Sequence, residues 1–203
     1  MKAFDRVLTG RDTPIATSDH HAVNGEALKP AHRQGYDTLV VGMGCFWGVE
    51  RLFWSLPGVL VTAAGYAGGK TPNPTYEETC TGQTEHAEVV LIIFDPSKTD
   101  VNTLLKVFWE NHDPTQLNRQ GNDIGSQYRS AIYTTSAEQF DAAVKSAEVF
   151  QQQLDNAGQG RLTTEIKALE TFYYAEAYHQ QYLHKNPGGY CALKGTGISC
   201  PIG

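Results

Sequence analysis

No run of about 18 apolar residues occurs in the 203-residue chain, so no membrane-spanning helix is expected. The first residues, MKAFDRVLTGRDTP, contain no long apolar core and do not read as a secretory signal, which points to the cytoplasm. Lys and Arg are scattered, and with a net charge of −6 and no basic stripe the chain is not expected to bind nucleic acid. There is no CxxC pair, and the gap between Cys191 and Cys200 is wide for a zinc knuckle, which disfavours a metal site. There is also no internal repeat and no linker that would split the chain.

What is present fits an ordinary globular protein, with 40 % hydrophobic and 19 % charged residues. Residues 1–35 read as an irregular arm in which His20, His21 and His32 are solvated. Residues 36–203 read as a single catalytic domain that includes a glycine-rich, cysteine-bearing and mobile tail from about 187. Four cysteines in a cytosolic chain are better read as reduced, catalytic or metal-binding than as a disulfide scaffold.

DTLVVG (37–42) reads as a short buried strand, and GMGCFWG as the turn after it. Phe46, Val49, Leu52, Phe53 and Leu56 recur at helical spacing until Pro57-Gly58. VLVTAAGYAGG reads as a strand running into a glycine loop, TYEETCTG as a short helix, and HAEVVLIIFDP as the central strand. Thr99 or Asp100 can cap a helix through VNTLLKVFWENH. A polar loop, NRQGNDIGSQ, leads to the strand YRSAIYTT. Ser136 with Gln139 reads as a capping box for a helix to about Asn156. TTEIKALE reads as a strand and AEAYHQQYLHKNP as a last helix. The expectation is an α/β (α+β) two-layer sandwich, a mixed sheet with flanking helices and a glycine-rich C-terminal tail.

Cys45 stands where a strand turns through Gly44 into a helix. On sequence alone GCFWG fits a buried structural thiol as well as a reactive one. A helix start tips the balance to reactivity, because its free N–H groups and dipole favour a thiolate and should lower the thiol pKa. Phe46 and Trp47 would wall the approach with apolar surface. Cys191 and Cys200, set among glycines, suit a relay in which an oxidised thiol is resolved by a second one. Cys80 reads as a packed free thiol.

Taken together, GCFWG, GYAGG, TPNPTYEE…C…G…HAE, QGND with QYRSAIY, and YYAEAYHQQYLHKNPGGYC resemble the A-type peptide methionine sulfoxide reductases, in order, from about Asp37 to Pro201. The resemblance implies reduction of the S epimer of methionine sulfoxide, free or in proteins, by a monomer with thioredoxin as reductant and no cofactor. It places Cys45 on the family nucleophile and Glu88 on its acid. Phe46 and Trp47 fall on the methyl pocket, Tyr76 and Tyr128 on the residues that bind the sulfoxide oxygen, and Asp123 on the same polar side. Cys191 and Cys200 fall on the recycling thiols.

The residue types suit that chemistry. A thiolate supplies the nucleophile, a carboxylic acid kept protonated by burial supplies a proton to the departing oxygen, and tyrosine hydroxyls stabilise charge on it. Two rivals remain at this stage. One is a cysteine hydrolase with His86, His112 or His179 as base. The other is a non-enzymatic module whose aromatic pocket binds methionine-containing segments.

Overall fold

The computed structural model describes residues 8–29 and 33–202. Its centre is a six-stranded mixed sheet in the order β7-β6-β1-β3-β2-β8. The strands are β1 (Asp37–Met43), β2 (Val59–Ala67), β3 (Ala87–Phe94), β6 (Ser130–Thr134), β7 (Glu165–Ala168) and β8 (Phe172–Tyr174). All neighbours are antiparallel except β6 and β7, which run parallel. β3 is buried along its whole length, Glu88 included, as the strand at a sheet centre must be. A two-residue hairpin, β4 (Arg119–Gln120) with β5 (Asp123–Ile124), occupies the polar loop before β6.

Alternation along β3 sorts its side chains between two layers. Val90, Ile92 and Phe94 join the core beneath the helices α1 (Phe46–Trp54), α3 (Val101–Glu110) and α4 (Ala137–Asn156). Glu88 lies in register with them and so points into the helical layer. Val89, Leu91 and Ile93 face the opposite side, where Leu28 of the arm and Phe172 and Tyr174 of β8 cover the sheet. From α1, Phe46, Val49 and Phe53 are buried, each such side chain contributing about 1.5–3 kcal/mol.

Local signals behave as the sequence suggests at several ends. Asp100 accepts the Thr103 N–H at 2.7 Å to cap α3. Ser136 accepts the Gln139 N–H at 3.2 Å to cap α4, but Gln139 Oε1 reaches back to the Thr135 N–H at 3.0 Å rather than completing a box with Ser136. A full capping box instead starts α2 (Tyr76–Cys80), between Thr75 and Glu78.

Three further expectations are overturned. First, His21 is not solvated: it is 1 % exposed, with Nε2 3.0 Å from Thr62 Oγ1. The arm packs onto the domain, with Leu28 fully buried. His20 is exposed, and His32 lies outside the described residues. Second, residues 175–187 are helical only at α5 (Tyr182–Lys185). Gln180 prevents a longer helix: its amide accepts the Ala64 N–H at 2.9 Å and donates to Ala64 O at 2.8 Å, taking a strand's place beside β2. Gln181 then adopts a left-handed φ of 45°, unfavourable for a residue with a Cβ. Third, the tail folds back on α3. The Cys200 N–H donates to Glu110 Oε1 at 2.8 Å, and Cys200 is buried in the helical core with Leu193, Ile198 and Ile202 packed against it.

Candidate active site

Gly44 turns the chain with φ +95°, and a side chain there would strike Gln120 at 2.7 Å. Only glycine lets the strand end and Cys45 stand at the N-cap of α1, with φ −52° and ψ 119°. Cys45 is half-buried. Glu88, 1 % exposed, approaches from β3, and its Oε2 accepts the Phe46 N–H at 3.1 Å.

That contact decides the electrostatics. The carboxyl is pushed up to about 8 by burial, opposed by the Phe46 N–H and assisted by Asp123. The expectation that the helix start lowers the Cys45 pKa is overturned. Burial raises it well above the ordinary thiol range, Glu88 raises it further, and the Trp47 N–H opposes. One of the free N–H groups of the first turn serves Glu88 instead of the sulfur, and little water reaches the site to stabilise a charge. The resting thiol is therefore protonated beside a carboxyl that keeps its own proton near neutral pH.

Apolar walls enclose this pair. Phe46 is buried, its ring 4.9 Å from His179 and 5.9 Å from Tyr66. Trp47 stacks on Tyr182 at 3.9 Å, and its indole N–H donates to His179 Nδ1 at 3.0 Å. Tyr76 opens α2 with its ring 4.6 Å from His179. Tyr128 ends a one-turn 3₁₀ helix, Ser126–Tyr128. Both phenols are raised above their ordinary range, first by burial and then by Glu88 and Cys80, so both are donors at every physiological pH. Asp123 faces the tail, where the Tyr190 hydroxyl reaches both its carboxylate oxygens at 3.3 Å.

The structure thus brings Cys45, Glu88, Phe46, Trp47, Tyr76, Tyr128 and Asp123 to one end of the sheet. Cys191 joins them: its sulfur sits 2.8 Å from where a Cβ on Gly48 would lie, one turn along α1 from Cys45. Cys200 stays apart in the core, its thiol pushed up to about 11 by burial. Cys80 is exposed rather than packed, a further correction. All four cysteines are free.

Sequence reasoning missed Tyr66, Glu176, Tyr182 and Tyr190, and named His179 only as a base in the rival hydrolase reading. Glu176 accepts from the Tyr66 hydroxyl at 2.9 Å and from the Tyr76 N–H at 2.8 Å, locking α2 to β2. Two of the histidines proposed for a hydrolase are engaged elsewhere. His86 Nδ1 accepts the Gly69 N–H and its Nε2 meets Thr71 O. His112 bonds Phe108 O and Ser130. His179 accepts from Trp47 and is lowered to about 4 by burial, so it is a neutral wall residue. No cluster of metal-ligating side chains occurs among the described residues, and no described helix is long and apolar enough to cross a membrane.

A protonated cysteine at a helix start, an uncharged buried carboxyl beside it and a second thiol within reach are the parts of a thiol-dependent reductase. Residues 37–198 match the family model "Peptide methionine sulfoxide reductase". The chain is 60 % identical over 203 residues to peptide methionine sulfoxide reductase MsrA 1 of Caulobacter vibrioides, covering 100 % of this chain and 94 % of that one. Methionine sulfoxide reductase A of Corynebacterium diphtheriae has the same fold, with a TM-score of 0.84, 44 % identity and coverage of 100 % and 98 %. Mxr1 of Saccharomyces cerevisiae in its reduced form follows at 0.73 and 30 %, covering 80 % and 92 %. Mxr1 has also been solved in complex with Trx2. The chain belongs to the peptide methionine sulfoxide reductase family.

Proposed function

We propose that the protein reduces methionine S-sulfoxide, free or within polypeptides, through Cys45, and that a thioredoxin-class dithiol restores it. The observation that carries this reading is that the buried Glu88 carboxyl, pushed up to about 8, accepts the N–H of Phe46, the residue next to Cys45 at the start of α1. A sulfoxide with its methyl group against Phe46 and Trp47 directs its oxygen toward Glu88, Tyr76 and Tyr128. Glu88 gives its proton to that oxygen, and the Cys45 sulfur attacks the substrate sulfur as its own proton passes to the Glu88 carboxylate. Protonated oxygen then transfers to Cys45, methionine leaves with its sulfur reduced by two electrons, and Cys45 holds a sulfenic acid. Activation of the thiol is coupled to substrate binding rather than stored in the resting site.

Cys191 then attacks the sulfenic sulfur, forming the Cys45–Cys191 disulfide and releasing water. Cys191 opens onto a cleft of about 530 Å³ lined also by Gln120, Asn122, Tyr190 and Lys194, which gives a reductant access. Transfer of the disulfide to Cys200 requires the tail to leave α3, breaking the bond to Glu110. The thiols carry both electrons, so no bound cofactor is needed. The Trx2 complex of Mxr1 supports the choice of reductant.

The test is stoichiometric. Without reductant, one equivalent of methionine S-sulfoxide should yield one methionine and one intramolecular disulfide per enzyme by mass spectrometry, and the R epimer should yield neither. Methionine without a disulfide, or equal use of both epimers, would overturn the reading. Gly48→Ala gives a sharper check on Cys191. The added methyl meets the Cys191 sulfur at 2.8 Å, so the thiol must turn away from α1 or the tail must shift. Methionine release in a single turnover should persist while disulfide formation slows by about tenfold or more. Equal slowing of both steps would mean that Cys191 does not approach Cys45 across Gly48.

A further inference from the structure

The match to the family begins at residue 37, yet the arm before it enters a closed ring of buried hydrogen bonds behind the site. His21 Nδ1 accepts the Val23 N–H at 3.3 Å, which leaves the ring proton on Nε2, and Nε2–H donates to Thr62 Oγ1 at 3.0 Å. The Thr62 hydroxyl donates onward to Glu50 Oε1 at 3.3 Å. Gln181 donates to Glu50 twice, from Nε2 at 2.6 Å and from its backbone N–H at 2.7 Å. The Ala22 N–H donates to Gln181 Oε1 at 2.8 Å and closes the ring. His21, Glu50, Thr62 and Gln181 are each at most 1 % exposed. A buried ring of this kind holds its geometry only while every member has its partner.

Gln181 is where the ring meets the site. It holds φ 45°, a conformation that persists in a non-glycine residue only when its surroundings impose it. On either side of it stand His179 and Tyr182, the two residues that hold the Trp47 indole by hydrogen bond and by stacking. Glu50 rides on α1 with Trp47. The arm therefore reaches the substrate wall through Thr62, Glu50 and Gln181.

We infer that His21 is a positioning residue of the reductase. Through Thr62, Glu50 and Gln181 it sets the turn that carries His179 and Tyr182, and so the orientation of Trp47. The inference rests on the reading of Trp47 as the wall that receives the sulfoxide methyl group. A merely structural arm would add stability and leave substrate affinity alone.

The test uses the full chain in single turnovers of methionine S-sulfoxide without reductant. His21→Leu keeps the volume and removes the donor. It should raise the half-saturating substrate concentration about five- to tenfold, the effect of a lost buried hydrogen bond, with the limiting rate within about twofold. His21→Gln, whose amide can donate from the same depth, should restore affinity. Thr62→Val breaks the same bond from the β2 side and should give the same rise, and the double variant should be no worse than either single one. If His21→Leu does not fold, Thr62→Val decides alone. A lowered melting temperature with unchanged half-saturation in these variants overturns the inference. Trp47→Phe separates the two readings. If it raises half-saturation while the ring variants do not, only the role of His21 fails. If it changes nothing, the assignment of Trp47 as the wall fails first.

Discussion

Cys45→Ser is expected to release no measurable methionine from methionine S-sulfoxide, a loss of roughly 10⁵-fold or more. The sulfoxide sulfur needs a soft nucleophile that can carry the transferred oxygen, and no other group in the site qualifies. His179 is neutral and bonded to Trp47, and Cys191 reaches α1 one turn away, at Gly48. The variant should remain folded. Cys45 is a half-buried N-cap residue that makes no side-chain capping bond, whereas serine is a preferred cap, so the melting temperature should hold or rise slightly. Single-turnover methionine release and a melting curve on the same sample suffice. Release within tenfold of the parent would remove Cys45 as nucleophile.

Glu88→Gln separates chemistry from stability. The amide can still accept the Phe46 N–H but has no proton to give, so the single-turnover rate should fall by about 10²–10⁴-fold. Stability should move the other way. The folded-state pKa is raised from 4.5 to about 8, so the folded protein binds this proton more tightly than the unfolded chain. The resulting stabilisation is complete below about pH 4.5 and is lost as pH rises through about 8. The variant never has to ionise there, so its stability should match the parent at about pH 4 and below and exceed it increasingly up to about pH 8, by up to a few kcal/mol. Glu88 also raises the Cys45 thiol, so above pH 8 the variant should react faster with iodoacetamide while reducing sulfoxide more slowly. An unchanged single-turnover rate would dismiss Glu88 as the acid, and a melting gap that is the same at about pH 4 as at pH 8 would dismiss the electrostatic account of its burial.

The strands that frame the site were legible because their signal is local. DTLVVG, VLVTAAGYA and AEVVLIIF are apolar runs of strand length, and Asp100 and Ser136 announce helix starts that the structure uses. The 175–187 stretch was misread because its spacing favours a helix while Gln180 and Gln181 bond to β2 and Glu50, partners more than a hundred residues away. β8 has three residues, too few for alternation to register. His21 resembled a solvated histidine because nothing near it in sequence foretells Thr62 or Glu50.

The sequence by itself determined the family, the main strands and helices in their order, and the chemical types gathered for the reaction: a cysteine at a helix start, an acid on the central strand, and spare thiols in the tail. Those are matters of residue identity and spacing along the chain. Tertiary structure alone decided the protonation of the site, because Glu88 crosses from β3 to take the Phe46 N–H and burial outweighs the helix start. It also decided that Cys191 stands at α1 while Cys200 is held in the core by Glu110. Charge and reach depend on which distant groups share one low-dielectric space, and that is known only once the chain has folded.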